Sequence, residues 1–280
     1  MSTISPVRPS PIAGTWYEGN PKALARIVDQ YLDQAELPEL PGEVIAIIAP
    51  HAGHKYSGPV AGYAFAAVRG RTFDLVAVLS PMHQPYYEPL LTTAHEAYAT
   101  PLGEVLVDKE VSADLDAHLR QALGEGLTPV AYDHEHSLEI ELPFLQRALV
   151  GEFKLLPVMV RSQSAKVSQL LGAALAETLL GKNALVIAST DLSHFYTQKE
   201  AVVFDTEMLR RIESFSPEDV FRAEKEERGF ACGLGALTAV LWAAKALGAD
   251  SVKVLRHATS GDVTGDFSSV VGYGAVVILK

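Results

Sequence analysis

The chain has 280 residues, 48% of them hydrophobic and 20% charged, a profile that buries a sizeable core and leaves disorder expected only in roughly the first ten residues. Lys and Arg total 23 against 34 Asp and Glu, and the resulting net charge of -11 excludes nucleic acid and anionic lipid as expected partners. A single cysteine, Cys232, rules out an intrachain disulfide and any argument for an oxidising compartment.

The N-terminal residues Met1 to Pro9 lack the apolar core of a signal peptide. Val44 to Ala49 reads as a fully buried strand, rich in β-branched residues and ended by Pro50. Gly58-Pro59 is expected to open a helix running to about Val68, with the proline in the first turn where its missing N–H costs nothing. Leu75 to Leu79 is a second buried strand, Glu104 to Val107 a short one, and Lys109 to Leu123 has helical spacing. Leu138 to Leu149 is expected to be one amphipathic helix, Leu155 to Val160 a strand, and Ala165 to Leu180 a helix with an apolar stripe.

Ala184 to Ala188 is another buried strand. Phe204 to Phe215, Pro217 to Arg228 and Leu234 to Leu247 read as helices, and Val252 to His257 and Val270 to Leu279 as closing strands. The most apolar stretch, Cys232 to Ala244, meets Lys245 well short of a membrane span, so a cytoplasmic location is expected. Continuous apolar strands between helices predict a three-layer α/β/α sandwich around a mixed, mostly parallel sheet, with the terminal strands as antiparallel additions. No repeat, linker or composition break interrupts the chain, so residues 1–280 are expected to form one domain.

In open α/β sheets, sites form beyond the carboxyl ends of the strands. Three of the expected strands run into a histidine within a few residues: His51 after the first, His83 after the second and His194 after the strand ending at Ala188. Pro50, Gly53 and Pro81 stiffen or turn the loops that would aim these imidazoles. Cys232 precedes an apolar helix. It is either a small core filler or, at a helix N-terminus that favours the thiolate, a ligand or nucleophile.

His136 and Glu139 stand three apart, so in a helical turn they share a face; the neighbouring Glu135 and Glu141 read as a solvated, dipole-favoured first turn. His54, His95, His118 and His257 read as structural. A HExxH zinc motif, a GxGxxG turn, a Walker loop and a GxSxG elbow are all absent from the sequence.

These motifs resemble the Memo family, whose prokaryotic members are called AmmeMemoRadiSam system protein B. The blocks that carry the resemblance are PIAGTWYEGNPKAL (Pro11 to Leu24), AIIAPHAGHKYSGPVAGYAF (Ala46 to Phe65), LSPMHQ (Leu79 to Gln84), EHSLEIELPFLQ (Glu135 to Gln146), LLPVMV (Leu155 to Val160), STDLSHF (Ser189 to Phe195) and ACGLGAL (Ala231 to Leu237). The resemblance implies a fold similar to the class III extradiol dioxygenases and a metal pocket formed by His51, His83 and Cys232. It places Asp191 and His194 beside the metal as catalytic residues, with His136 and Glu139 nearby. Iron(II) or copper is the implied cofactor, a small molecule or peptide the implied ligand, and radical-SAM and AMMECR-type proteins the implied functional associates.

One feature departs from the dioxygenase pattern. A thiolate stands where those enzymes supply a carboxylate, which favours softer metals and changes how iron handles oxygen, so ring cleavage does not carry over with the fold. Three functions are therefore expected to compete. The first is a metal-dependent redox enzyme in which His194 acts as acid or base and Asp191 orients it or binds substrate. The second is a non-catalytic ligand- or peptide-binding module using the same pocket, and the third a thiol hydrolase built on Cys232, His194 and Asp191.

Overall fold

The computed structural model describes residues 4–280; Met1 to Thr3, the start of the segment read above as lacking a signal core, lie outside the described residues. The elements in chain order are β1 (Val7–Arg8), α1 (Pro21–Asp33), β2 (Val44–Ala49), α2 (His54–Ala66), β3 (Leu75–Pro81), β4 (Leu90–Thr93), β5 (Ala97–Thr100) and β6 (Gly103–Leu106). There follow α3 (Lys109–Leu123), β7 (Thr128–Val130), a 3-10 turn (Glu139–Glu141), α4 (Leu142–Ala148), β8 (Lys154–Val160), α5 (Ala165–Leu179), β9 (Ala184–Ser189) and β10 (His194–Tyr196). The chain closes with α6 (Gln198–Glu213), α7 (Pro217–Lys225), α8 (Leu234–Ala246), β11 (Ser251–Thr259), α9 (Gly261–Thr264) and β12 (Val270–Leu279).

Nine strands form one mixed sheet in the order β10-β12-β2-β9-β3-β8-β4-β7, with β11 also paired to β12. Its centre is parallel, β2 to β9, β9 to β3 and β3 to β8, whereas β12 pairs antiparallel with β2 and β11. Alternate residues of each central strand face opposite sides, and both sides are covered. Ile47, Val78 and Ile187 pack under α1, α2 and α4, while Ile48, Leu79 and Ala188 pack under α3, α5, α6, α7 and α8. Helices on both faces of a mixed sheet make the three-layer α/β/α sandwich, and they explain why the strands read as unbroken apolar runs. Among the described residues, no helix is long and apolar enough to cross a membrane.

Several expected boundaries shift for local reasons. The second helix begins at His54 rather than Gly58, so Pro59 lies inside it. That helix lies close against α1, where a Cβ on Gly62 would sit 2.5 Å from the Tyr31 carbonyl oxygen. The sixth helix begins at Gln198, because the Glu200 carboxylate accepts from the Thr197 backbone N–H at 3.2 Å and closes its first turn. The expected continuous helix from Leu138 is instead the 3-10 turn followed by α4, with Pro143 in the first turn of α4.

Two features went unread. Helix α1 is capped by Asn20, whose side chain accepts from the N–H groups of Lys22 and Ala23, and it buries Leu24, Val28 and Leu32 at i, i+4 and i+8. A small second sheet, β1-β5-β6, ties the N-terminal segment to the chain around Tyr98.

Candidate metal centre

Strand β9 lies between β2 and β3, so the carboxyl ends of three adjacent parallel strands deliver His51, Asp191 and His83 to one place. His136 arrives from the loop before the 3-10 turn. His51, His83 and His136 each offer a ring nitrogen, and these three atoms all lie within 4.8 Å of one another, so the group could hold a metal ion. The rings of His83 and His136 stack at 4.9 Å and 14°, and both stand nearly perpendicular to His51.

Two of the imidazoles, His51 and His83, are hydrogen-bonded from behind. Ser189 Oγ donates toward the Ser137 carbonyl at 2.6 Å and Glu141 Oε1 at 2.7 Å, so its lone pair takes the Nδ1 hydrogen of His51 at 3.0 Å. Glu135 Oε1 lies 2.9 Å from Nδ1 of His83 and 3.3 Å from Nδ1 of His136. Burial alone would raise the Glu135 carboxyl. Hydrogen bonds from the His83 ring and from backbone N–H groups instead hold it well below the usual carboxylate range. A carboxylate can only accept, so the His83 ring carries its proton on Nδ1 and turns Nε2 the other way.

Cys232 closes the site. Its Sγ lies 3.2 Å from His51 Nε2 and accepts from the Asp191 N–H at 3.3 Å. The turn that carries it is stitched to the end of β9: Cys232 N–H donates to the Asp191 carbonyl and Gly233 N–H to Thr190 Oγ1. A Cβ on Gly233 would sit 2.7 Å from the Ser189 carbonyl oxygen, so this approach requires glycine. The expectation that the helix N-terminus lowers the thiol pKa is not met in the metal-free site: burial, then the Asp191 carboxylate, pushes the thiol up. The compact trio takes His136 as its third member, with the expected third ligand, Cys232, beside His51.

The other expected site residues separate into two groups. Asp191 and His194 lie at the pocket. The Asp191 carboxylate accepts from the N–H groups of His51 at 2.8 Å and Ala52 at 3.3 Å, so it aims the His51 loop rather than the His194 ring. Burial raises it to about 7, against those two hydrogen bonds. His194 donates Nδ1–H to the Leu192 carbonyl at 2.9 Å, which leaves its Nε2 free.

Glu139, in contrast, turns into a buried network with Arg8, Ser10 and Tyr17. It does not share a helical face with His136, because His136 precedes the turn in which Glu139 lies. Glu135 and Glu141, expected on a solvated helix start, are 2% and 1% exposed. Burial pushes the Glu141 carboxyl well up. The segment is a tight loop packed over the strand ends, not an exposed helix terminus. His54, His95, His118 and His257 hydrogen-bond to Ile140, Ser5, Thr178 and Asp205 outside the trio, as structural histidines do.

The pocket opens to solvent at His83, whose side chain is 38% exposed. Trp16 packs against His136 at 4.0 Å between ring centroids, tilted by 35°. From there a groove of about 600 Å³ runs past Ala52, Tyr56, Phe195 and Tyr273. Phe195 is 77% exposed and held at a left-handed φ of 66° directly after His194. Sequence reasoning missed Glu135, Ser189 and Trp16 as site residues. The available signal was that Glu135 adjoins His136 and that Ser189 ends the strand before Asp191.

A family model described as Memo-like protein matches residues 8–277. The MEMO1 family protein of Methanococcoides burtonii is 34% identical over 274 residues, covering 97% of this chain and 100% of that protein. Those of Nitrosopumilus maritimus and Methanopyrus kandleri are each 32% identical, covering 96% of this chain and 98% of their own length.

Proposed function

The chain belongs to the Memo family, and from that premise we propose that it is a metal-dependent redox enzyme whose ion, iron(II) or copper, is held by His51, His83 and Cys232 together with His136. The observation that carries the proposal is the convergence of three imidazole nitrogens within 4.8 Å, beside a sulfur 3.2 Å from one of them. The donor set fits such an ion. Imidazole suits iron and copper, a thiolate favours copper(I), and hard oxygen ligands preferred by magnesium or calcium are absent from the trio. When bound, the ion would supply a Lewis-acid and one-electron redox centre.

The chain's own groups prepare the site. Ser189 and Glu135 take the Nδ1 hydrogens of His51 and His83, so no proton occupies the Nε2 positions of those two rings. Cys232 must release its Sγ proton to become a ligand, which couples metal uptake to pH. Asp191 fixes the backbone of His51 and, through its own N–H, the sulfur of Cys232. His194 offers an unbonded Nε2 as the acid or base that moves a substrate proton. The groove walled by Trp16, Tyr56, Phe195 and Tyr273 receives a small-molecule or peptide ligand.

The aromatic groove also favours a second reading, a binding module in which the metal is structural. Metal analysis of anaerobically purified protein, with turnover assays on redox-active small molecules, tests both. About one iron or copper per chain, reduced in His51→Ala and His136→Ala, supports the enzyme. Metal content unchanged in those variants sinks the site, and tight ligand binding without metal or turnover favours the module.

A further inference from the structure

The metal-centre reading leaves open why the rings of His83 and His136, from distant parts of the chain, stack parallel. The answer lies in one carboxylate. Glu135 Oε1 accepts from Nδ1–H of His83 at 2.9 Å and from the backbone N–H groups of His136 at 2.9 Å and Ser137 at 3.0 Å, and it lies 3.3 Å from Nδ1 of His136. Its other oxygen takes the backbone N–H of His83 at 2.6 Å.

Glu135 is itself immobilised. Its own N–H donates to Asp133 Oδ1 at 3.0 Å and its carbonyl accepts from Arg8 Nη2 at 2.8 Å. Arg8, 1% exposed, also binds the Asp133 carboxylate, so a buried ion pair anchors the loop on which the carboxylate sits.

We infer that Glu135 is the positioning residue of the centre: one buried carboxylate fixes the tautomer and ring of His83 and the backbone of His136, and so holds the two imidazoles side by side toward His51. This rests on the metal-centre reading above. A backbone carbonyl could hold the His83 ring, but a carboxylate that takes its Nδ1–H and also the backbone N–H groups of His83 and His136 draws both segments to one group and makes the His83 imidazole a stronger donor. The order of the residues follows. The backbone of His136 is held by its own chain neighbour, and the loop carrying His83 is drawn to the same carboxylate, its backbone to one oxygen and its ring to the other.

The test uses the full chain, wild type and Glu135→Gln, with cobalt(II) as the probe. Glutamine keeps the shape and one acceptor but removes the charge, and its amide meets the His83 N–H as a second donor. The inference expects cobalt(II) binding about 10–100-fold weaker with altered ligand-field bands. It also expects long-range 15N–1H correlation spectra of the metal-free protein to show His83 as the Nδ1–H tautomer in the wild type and as a mixture in the variant. Asp108→Ala, which removes the cap of α3, is the stability control. It lowers the melting temperature with cobalt affinity and tautomers unchanged.

Wild-type affinity and tautomers in Glu135→Gln overturn the inference, as does an equal loss of affinity in Asp108→Ala. If the wild type binds no cobalt(II), the metal-centre reading fails and the inference with it. If the wild type binds and Glu135→Gln binds equally, only the inference fails. Should Glu135→Gln not fold, Glu135→Asp, with the charge kept and the arm one methylene shorter, reads the same two signals.

Discussion

The sulfur of Cys232 and Nε2 of His51 lie 3.2 Å apart although 181 residues separate them in the chain. The backbone of each is tied to Asp191, His51 through the carboxylate and Cys232 through the carbonyl, so the contact is set by the turn after β9. A sulfur in that position can join an ion held by the three imidazoles.

Cobalt(II) added to the metal-free protein is therefore expected to produce an intense sulfur-to-metal charge-transfer band in the near ultraviolet. In Cys232→Ser that band disappears, while weaker ligand-field bands from His51, His83 and His136 remain. The same titration should protect Cys232 from alkylation by iodoacetamide. Retention of the charge-transfer band in Cys232→Ser would remove the cysteine from the ligand set.

Ser189→Ala deletes the hydroxyl between His51 and Glu141, leaving a buried imidazole N–H and a buried carboxyl without their partner. Unsatisfied buried groups cost about 1–3 kcal/mol each, so urea unfolding should show a loss of that order. Cobalt affinity should fall as well, because the His51 ring loses its outward hydrogen bond. Ser189→Thr, which restores a hydroxyl, should recover part of both.

Arg8 is buried against Asp133 and Glu139. Replacing it by methionine leaves two buried carboxylates without their cation, a loss expected at about 3–5 kcal/mol in denaturant midpoint experiments. Because Arg8 anchors the Glu135 carbonyl, local hydrogen exchange of the loop from Asp133 to Ser137 should rise as well. An unchanged midpoint would show that the network contributes no net stability.

His54 sets an acid limb. It donates Nε2–H to the Ile140 carbonyl at 2.9 Å, its Nδ1 is buried without a partner, and the rings of Tyr17 and Phe144 pack against it. Burial lowers it to about 4, with the bond to Ile140 opposing. The folded value lies below the usual value near 6.5, so the unfolded chain binds the extra proton first. The neutral ring's contribution is complete above about pH 6.5 and is lost as pH falls toward 4, by about 3 kcal/mol in all. His54→Gln keeps a donor for Ile140 and cannot titrate in this range. Its denaturant midpoint should fall less steeply between pH 6.5 and 4, and a slope equal to wild type would assign the acid limb to other groups.

How much of this was legible depended on the range of the signal. The central strands, α3 and β12 could be read from the chain because each carries its pattern within a few neighbouring residues. Lys109–Leu123 and Val270–Leu279 have the expected ends. Helix α1 carried legible signals that went unread, namely an Asn cap, a proline in the first turn and apolar residues at i, i+4 and i+8. The strands β1, β4, β5, β7 and β10 are two to four residues long, too short for periodicity, and take their form from pairing with distant segments.

The site divides along the same line. Histidines at the ends of apolar strands were visible in the sequence, because a buried parallel strand announces itself locally and sites gather at its carboxyl end. Whether Cys232 faced the core or the pocket, and whether Glu135 met water or the His83 imidazole, was decided by packing between segments far apart in the chain. Carboxylates near a turn look solvated until the fold shows what covers them. Once the loop from Asp133 to Glu141 is pressed onto the ends of β3 and β9, its carboxylates lose water and must find other donors. Glu135 finds the His83 ring and the His136 backbone, Glu141 finds Ser189, and Asp133 and Glu139 find Arg8.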